Sequence, residues 1–452
     1  TVTGGGSGKG LRAQLIRGSV GSVGLKGASA LLHLLPTALL THNLTTSEFG
    51  VYAYVLATIS LLAIPAHAGM PTLIVRLTAI YQARDQLALL AGLWIRSRQL
   101  LMILSLAIML LTSAYFIVIG GVLESGDRLL QLTLAAALLM IPIKSIAESR
   151  AAALRGLGRV VIGQMPDLLV RPLTHALLIT AFLLAPWIGM SAPLAMALYT
   201  AAALCAMIFA TMALSRYRPA ASRSVAPAYE TRVWLRTIVP LSLLAGSQVI
   251  LQQTGSVMLG AISGPESVGL YRIAVLTAAV VGFGMLTAST VISPHVARMY
   301  ATGDLARAQA MITSSARIVS TTTLALTLVI VVIGEPFIRL VFGAHYVAAY
   351  LPLITLCAGV LIKAAAGPAS AVLTMTGHER DAFAGVASAA VANVVFCALL
   401  IPAFGIQGAA LGSTLAFSVW SLQVARLAYK RTKFHTTVFG AWHRGSTGTP
   451  GT

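Results

Sequence analysis

Carboxylates are scarce in this chain: 12 of its 452 residues are Asp or Glu, against 31 Lys and Arg, and only 10% of all residues are charged. Soluble domains carry charge on about a quarter of their residues, so a water-soluble globular fold is excluded. The sequence also contains no GxSxG motif, no HExxH motif and no paired-carboxylate pattern. We therefore expect no enzymatic activity, no cofactor and no metal site.

Cysteine is nearly missing as well. Cys205, Cys357 and Cys397 stand inside apolar runs, without the spacing of a redox motif or a zinc site, so we predict that they are small core residues.

The Gly-rich segment 1–10 lacks the apolar core of a secretory signal, and Lys9 is not followed by the Ser or Thr of a phosphate-binding loop. We expect this segment to be a disordered tail.

Apolar sequence dominates instead. Hydrophobic residues make up 57% of the chain, and apolar runs of the ~20 residues needed to cross about 30 Å of hydrocarbon recur throughout. The runs are continuous rather than alternating, so they predict helices and not a barrel. The sequence predicts an all-α membrane protein with twelve transmembrane helices, near 18–40, 51–75, 99–123, 129–149, 165–187, 190–214, 238–262, 268–294, 318–343, 347–375, 382–403 and 406–429.

The second half of the chain repeats the first half. At an offset of 219 positions, the scarce residue types Tyr, Asp, Lys and Arg coincide more often than chance allows, as in the pairs Arg17/Arg236, Tyr52/Tyr271, Tyr81/Tyr300, Asp85/Asp304, Arg98/Arg317 and Lys144/Lys363. The pairs Gly50/Gly269, Leu154/Leu373, Gly158/Gly377 and Gly189/Gly408 coincide at the same offset. Six crossings per copy give both copies the same orientation. We predict two parallel-repeat six-helix lobes, 1–214 and 238–430, joined by a basic cytoplasmic linker at 215–237 and followed by a cytoplasmic tail at 431–452.

Basic residues flank the apolar runs on alternate sides of the membrane. By the positive-inside rule the basic side is the cytoplasm, so both termini are expected there. This topology accounts for the formal net charge of +19, and no nucleic-acid partner is needed to explain it. The cytoplasmic connections 76–98 and 295–317 are expected to contain amphipathic helices that lie on the membrane surface, with Tyr81 and Asp85 fixing the first of them.

Short glycine motifs beside the predicted helices resemble those of a known family. They read SEFGVY at 47–52, LRGLGR at 154–159, ESVGLY at 266–271 and GIQGAA at 405–410, and we expect their glycines to lie at turns or close backbone contacts. The motifs are similar to those of the polysaccharide transporters of the multidrug/oligosaccharidyl-lipid/polysaccharide (MOP) exporter superfamily, and most similar to the O-antigen flippases. The resemblance covers nearly the whole chain. It implies two lobes around a central cavity, and movement of an undecaprenyl-diphosphate-linked oligosaccharide to the outer leaflet for O-antigen, capsule or exopolysaccharide synthesis.

Charged groups inside the apolar runs mark candidate site residues, because a charge at mid-membrane costs roughly 2.5–3.5 kcal/mol unless it faces water or a partner. The first helix carries Lys26 and His33 near one face. The repeat aligns His33 with Gln252, which forms a polar row with Gln248 on the seventh helix. Polar groups at matching depth in equivalent helices are what a lumen requires.

The fifth helix carries Asp167, Arg171 and His175 at a spacing of four. Two interpretations stay open: an internal Asp167–Arg171 pair that neutralises itself, or a stripe that lines the cavity. Lys144 and Lys363 lie near cytoplasmic helix ends, where their stems can snorkel.

Arg272 lies near the outer end of the eighth helix, where a cation opposes the positive-inside rule, so it is the strongest single candidate. For the substrate that the resemblance implies, a diphosphate that sheds water requires cationic or hydrogen-bonding replacements. We expect Lys26 and Arg272 to bind it, with Arg171 as a third contact. Gln248, Gln252 and Asn393 are expected to bind sugar hydroxyls. By resemblance to the lipid II flippase, we expect the polyprenyl tail to hang out of the polar lumen through a lateral gap between the first and eighth helices.

Transport by alternating access has two candidate driving forces. The membrane potential alone favours the outward movement of anionic charge, and proton or sodium antiport, with Asp167 as the carrier, is the competitor.

A multidrug or organic-cation antiporter of the same superfamily is the alternative function and requires an acid-lined cavity. A glycosyltransferase or polymerase requires outer loops longer than those present. We expect a monomeric, multi-pass protein of the inner membrane whose partners are the lipid-linked substrate, membrane lipids, and the polysaccharide polymerase and chain-length machinery.

Overall fold

The computed structural model describes residues 7–67, 69–122, 128–184, 189–223 and 225–440, and helices are the regular structure found in these segments. Its contacts divide the chain into two compact units, Thr1–Gln253 and Thr254–Thr452. The boundary falls within α10. The helices are α1 Ser7–Asn43, α2 Thr46–Leu62, α3 Ile64–His67, α4 Met70–Ala83, α5 Leu87–Val122, α6 Arg128–Leu138, α7 Met140–Gly156, α8 Arg171–Leu183, α9 Ala192–Tyr217, α10 Thr231–Ser263, α11 Pro265–Ala301, α12 Leu305–Val341, α13 Tyr350–Ala365, α14 Ala369–Met375 and α15 Glu379–Thr432.

Ten helical segments within the described parts of the chain are long and apolar enough to cross a membrane. The last of these, α15, contains two helices, because Gly405 has φ 53° and ψ −126° and breaks the helical path. The 37-residue α1 contains the first predicted run. The predicted all-α membrane fold is confirmed, and the twelve predicted runs correspond to these ten segments, with α15 counted as two helices, together with α1.

The second predicted run, 51–75, is interrupted in the structure. After α2 the chain makes the single turn of α3, and α4 begins only after Gly69, whose φ is 80°. A Cβ atom at Gly69 would lie 2.5 Å from the backbone nitrogen of Ser242 in α10, so no side chain fits. Pro65 and Pro71, which lack the N–H that a continuous helix requires, flank this break.

The predicted surface helices in 76–98 and 295–317 are wrong. In each repeat two helices meet at a tight turn: α4 and α5 at residues 84–86, and α11 and α12 at residues 302–304. In the first turn Asp85 has φ 54°. In the second turn the Asp304 carboxylate accepts a hydrogen bond from the backbone N–H of Arg307 at 3.3 Å, which caps α12. Each range contains the end of one helix and the start of the next, so its mixture of apolar and basic residues does not mark a separate helix.

The two copies of the repeat share a turn at the same register. Gly158 and Gly377 have φ 79° and 83°, and the backbone hydrogen bonds Arg159 N to Leu154 O and His378 N to Leu373 O, both 2.9 Å, are equivalent at the repeat offset. A left-handed residue of this kind commonly ends a helix, and glycine adopts it without steric cost. Gly50 and Gly269 differ: they are buried inside α2 and α11, so the predicted turn is wrong at these two positions.

The extended segment 225–230 lies on the first turns of α5. The Ala228 N–H donates to the Ala88 carbonyl at 3.0 Å, and the absence of a side chain at Gly92 lets the Ala228 carbonyl approach α5. The buried Tyr81 hydroxyl donates to the Glu230 carboxylate at 3.2 Å and accepts from the Trp234 indole N–H at 3.0 Å. This segment is therefore attached to the first unit and is not a loose connection.

Tyr81→Phe should loosen this attachment. The change removes two hydrogen bonds and leaves the Trp234 N–H without its acceptor, at a cost of about 1 kcal/mol in the free energy of unfolding. Burial raises the pKa of Tyr81 above its ordinary value of 10.0. The folded chain thus holds the phenol proton more tightly than the unfolded chain, and the stability from this group is present below about pH 10 and lost at higher pH.

Thermal unfolding at about pH 9 and about pH 11 measures this effect. The wild type should lose more stability between these values than the Tyr81→Phe variant. Tyr300, the repeat equivalent, packs edge-on against Phe434 with ring centroids 6.1 Å apart, so Tyr300→Phe is the matched control and should behave as the wild type does. An equal alkaline loss in wild type and Tyr81→Phe would contradict the prediction.

A second non-helical segment, residues 433–440, lies along α12 in the second unit. The Gln309 side chain donates to the His435 carbonyl at 2.7 Å and accepts from the His435 N–H at 2.9 Å. Arg317 Nε donates to the Val438 carbonyl at 3.2 Å. In each unit, a described non-helical segment therefore packs on the helix that follows the tight turn.

Candidate functional site

A π-helical turn positions the charged stripe of the fifth membrane segment. Residues Pro166–Val170 form this turn, and α8 begins at Arg171 directly after it. π-helical turns are rare and frequently lie at functional sites. Asp167 Oδ1 lies 3.3 Å from Arg171 Nη1, with side-chain exposures of 28% and 15%. The ion pair considered in the sequence analysis therefore forms, inside a membrane segment.

Aromatic rings from two neighbouring helices enclose the next turns of α8. The Arg171 guanidinium lies 5.8 Å from the centre of the Tyr199 ring of α9, within the range of a cation–π contact. The His175 ring meets Tyr199 edge-on at 5.0 Å and is stacked at 6.5 Å on Tyr52 of α2. We call Tyr52, Asp167, Arg171, His175 and Tyr199 the Arg171 cluster.

His175 is the most deeply buried ionisable member of the cluster, with 2% exposure. Its ring hydrogen-bonds to the backbone of Ala195, while Nε2 has no hydrogen-bond partner among the described residues. Buried polar atoms normally have partners. The imidazole is thus held in place through one nitrogen only.

Further charges from α7 surround the cluster. Lys144 Nζ lies 3.7 Å from Glu148 Oε1. Glu148 also interacts electrostatically with Arg171, and Asp167 interacts with Arg155 at the end of α7. Two carboxylates are thus shared among three cations. The intramembrane acids of this network are compensated by bases, so they do not form an acidic binding surface.

The first helix supplies the other predicted residues of this unit. His33 Nδ1 lies 2.7 Å from the Ser29 carbonyl oxygen, and the ring is near enough to His175 to interact with it electrostatically. Lys26 is half-buried and has no ion pair or hydrogen bond to any residue that the structure describes. On α10, the predicted residues Gln248 and Gln252 are both exposed. The structure brings His33 to the Arg171 cluster and leaves Lys26 and the two glutamines available for contacts.

In the second unit the predicted residues have contrasting surroundings. Arg272 of α11 is half-buried, and within the described parts of the chain its guanidinium has no ion pair or hydrogen bond. Asn393 of α15 has 0% exposure, and its Oδ1 accepts from Cys397 Sγ at 3.3 Å. In this conformation Asn393 is a packing residue that does not offer its amide to a sugar.

Sequence reasoning missed three aromatic side chains. Tyr199 meets both Arg171 and His175, and the only signal for it was a tyrosine inside an apolar run. In the second unit Lys363 Nζ lies 4.3 Å from the Trp420 ring centre and 5.3 Å from that of Phe417. Its repeat equivalent Lys144 pairs with a carboxylate instead. The two halves have therefore diverged in how they hold the same lysine.

The fold is that of the MOP-superfamily transporters. It is similar to an inward-facing multidrug resistance MATE family transporter of the MOP superfamily, with TM-score 0.72, 14% sequence identity, and coverage of 92% of this chain and 96% of that one. It is also similar to the lipid II flippase MurJ in an inward closed conformation, with TM-score 0.68, 12% identity and coverage of 91% and 87%. An outward-facing MATE family transporter matches with TM-score 0.63, 15% identity and coverage of 92% and 95%.

Residues 15–300, more than half of the chain, match the family model described as polysaccharide biosynthesis protein. The chain belongs to this family. A search among curated proteins finds no match. The resemblance seen in the glycine motifs is thereby confirmed, and the protein is a multi-pass membrane protein with a transporter fold.

Proposed function

We propose that this protein is a flippase that moves an undecaprenyl-diphosphate-linked oligosaccharide from the cytoplasmic to the outer leaflet of the inner membrane, with both termini in the cytoplasm. The product serves O-antigen, capsule or exopolysaccharide synthesis. The observation that carries the proposal is the charge balance of the membrane segments. Lys26 and Arg272 have no counter-charge among the described residues, whereas Asp167 and Glu148 are both paired with cations.

The chemistry of the substrate explains this balance. A diphosphate loses its hydration when it enters an environment of lower dielectric, and charge-assisted hydrogen bonds from Lys and Arg replace that hydration. Lys26 and Arg272 are the proposed contacts. Arg171 joins them only when Asp167 releases it, because the two side chains are already 3.3 Å apart. The exposed amides of Gln248 and Gln252 are the proposed contacts of the sugar hydroxyls.

Alternating access is the proposed mechanism. MATE family transporters with this fold are known in both inward-facing and outward-facing conformations, which supports a fold with two stable arrangements. The proposed protein partners are the polysaccharide polymerase and the chain-length machinery, which use the product at the outer leaflet, and the proposed transporting unit is the monomer.

The membrane potential is the proposed driving force. With the inside negative, the outward movement of each negative charge gains roughly 2.3 kcal/mol per 100 mV. In proteoliposomes that contain a fluorescent polyprenyl-diphosphate oligosaccharide, collapsing the potential at constant pH and sodium should lower the initial rate of flipping severalfold. An unchanged rate would refute potential-driven transport and favour ion antiport through Asp167.

The alternative is a multidrug or organic-cation antiporter, which the structural similarity to MATE transporters favours. Such a protein requires carboxylates available to a cation, and the described intramembrane acids of the first unit are already paired. The same proteoliposomes distinguish the two functions. We expect flipping of the diphosphate lipid without accumulation of a fluorescent organic cation; accumulation of the cation without flipping would select the alternative.

A further inference from the structure

Three arginines from three helices line one cavity of about 510 Å³ in the first unit. They are Arg98 of α5, Arg150 of α7 and Arg218, which directly follows the end of α9. No residue of the Arg171 cluster lines this cavity. The other lining residues are Ala91, Trp94, Ile95, Thr211, Leu214 and Ser215.

The position of each arginine in the sequence places the cavity at the cytoplasmic face. Arg98 precedes the predicted run 99–123, Arg150 follows the run 129–149, and Arg218 follows the run 190–214. All three ends belong to the side that the positive-inside rule assigns to the cytoplasm. That rule explains why arginines occur at these ends. It does not explain why three of them converge on one cavity.

One of the arginines is held in position before any ligand binds. Arg218 Nε donates to the Ser222 hydroxyl at 2.9 Å, its Nη2 donates to the Ser222 carbonyl at 2.6 Å, and the guanidinium lies 5.7 Å from the Trp94 ring centre. Such pre-ordering lowers the entropic cost of binding.

The positive charges that line the cavity lie close together. Arg150 is near enough to both Arg98 and Arg218 for their positive charges to repel each other. Neither Arg98 nor Arg150 has an ion pair or hydrogen bond to a described residue. The hydroxyls of Thr211 and Ser215 already donate to the carbonyls of Met207 and Met212. Arg98 and Arg150 thus have N–H donors available, and an anion would relieve the repulsion among the arginines.

We propose that this cavity binds the phosphate group of an anionic lipid from the cytoplasmic leaflet. Arginines recognise phosphate oxygens through paired N–H donors, and basic pockets between transmembrane helices on the cytoplasmic side bind anionic head groups. Trp94, Ile95 and Leu214 form an apolar wall for the glycerol and first methylene groups. The cavity is larger than one phosphate requires. Free phosphate shares the same chemistry, and the test separates the two sources.

The experiment uses the full-length protein in detergent and counts retained lipid by native mass spectrometry. Phosphatidylglycerol is titrated against phosphatidylcholine, and in a second arm inorganic phosphate is added as a competitor. Arg98→Gln and Arg150→Gln should each lower the affinity for phosphatidylglycerol about fivefold, because each arginine near a membrane surface contributes modestly to anion attraction. Arg216→Gln is the matched control. Arg216 is an exposed residue of α9, the helix that Arg218 follows, and it does not line the cavity.

Each outcome decides the proposal. Loss of affinity in both variants, retention in Arg216→Gln and partial recovery in Arg150→Lys support the lipid site. Binding of inorganic phosphate that is lost in the same variants, without lipid selectivity, assigns the cavity to a soluble phosphate instead of a lipid. Equal loss in Arg216→Gln, or unchanged affinity in Arg98→Gln, overturns the proposal. Because Arg98 is exposed, its substitution is compatible with folding. The readout is independent of transport, so the proposed function can fail while this site stands.

Discussion

Arg272→Ala should lower the rate of flipping of a diphosphate-linked lipid about tenfold to a hundredfold, with normal expression and thermal stability. The guanidinium lies in a membrane segment without a counter-charge among the described residues, so its removal breaks no structural ion pair. A charge-assisted contact to a phosphate is worth about 1.5–3 kcal/mol, which sets the expected range. Outer-leaflet appearance of the fluorescent lipid in proteoliposomes measures the effect.

Two further variants sharpen this test. Arg272→Lys keeps the charge and should retain a large part of the rate. Arg339→Ala removes an exposed arginine of the same unit, whose Nη2 lies 2.9 Å from Glu335 Oε1. This control variant should flip the lipid at the wild-type rate. If Arg272→Ala transports without loss, Arg272 does not bind the phosphate, whatever the function of the protein.

Asp167→Asn should have two separable effects. Asparagine keeps the shape of the side chain and removes its charge, so Arg171, with 15% exposure, loses its counter-ion. We expect a loss of about 2 kcal/mol in the free energy of unfolding, less than for a fully buried pair because Asp167 keeps 28% exposure. If Asp167 also carries a coupling ion, flipping becomes independent of the proton or sodium gradient. Thermal unfolding and gradient-driven flipping measure the two effects.

The double variant Asp167→Asn/Arg171→Met separates structure from coupling. It removes both charges and should restore most of the stability. Ion dependence that stays absent after stability returns identifies Asp167 as the carrier, and ion dependence that persists excludes it. Glu148→Gln is the comparison, because its contact with Lys144 is longer, at 3.7 Å. A single variant as stable as the wild type would contradict the structural role of the Asp167–Arg171 pair.

Composition and the lengths of the apolar runs were sufficient to predict an all-α membrane fold. Apolar runs long enough for the hydrocarbon core must become helices, because backbone polar groups have no other partners in lipid. The repeat offset found with scarce residues reappears as the same backbone hydrogen bonds at Gly158 and Gly377. The predicted lobe limits of 1–214 and 238–430 stay a prediction.

Most contacts between different helices could not be predicted from the sequence. The Asp167–Arg171 pair was predictable because side chains four residues apart lie next to each other on one face of a helix. The contacts of Tyr199 with Arg171 and His175 depend on how three helices pack, which no spacing within one helix reveals. The sequence predicted that Asn393 is a polar cavity residue, because its burial against Cys397 also depends on helix packing and could not be predicted. The surface helices failed for a related reason, since amphipathic sequence does not distinguish a separate helix from an extended one.

The segment 433–440, which packs on α12, has a consequence for biosynthesis. Domains form as units while the chain emerges from the ribosome, and the first unit has its attached segment 225–230 before the second unit is made. The second unit receives its corresponding segment only after α15 has been translated. The packing of α12 is therefore completed only after α15 has been made, and a fusion placed between α15 and residue 433 would separate this unit from the segment that finishes its assembly.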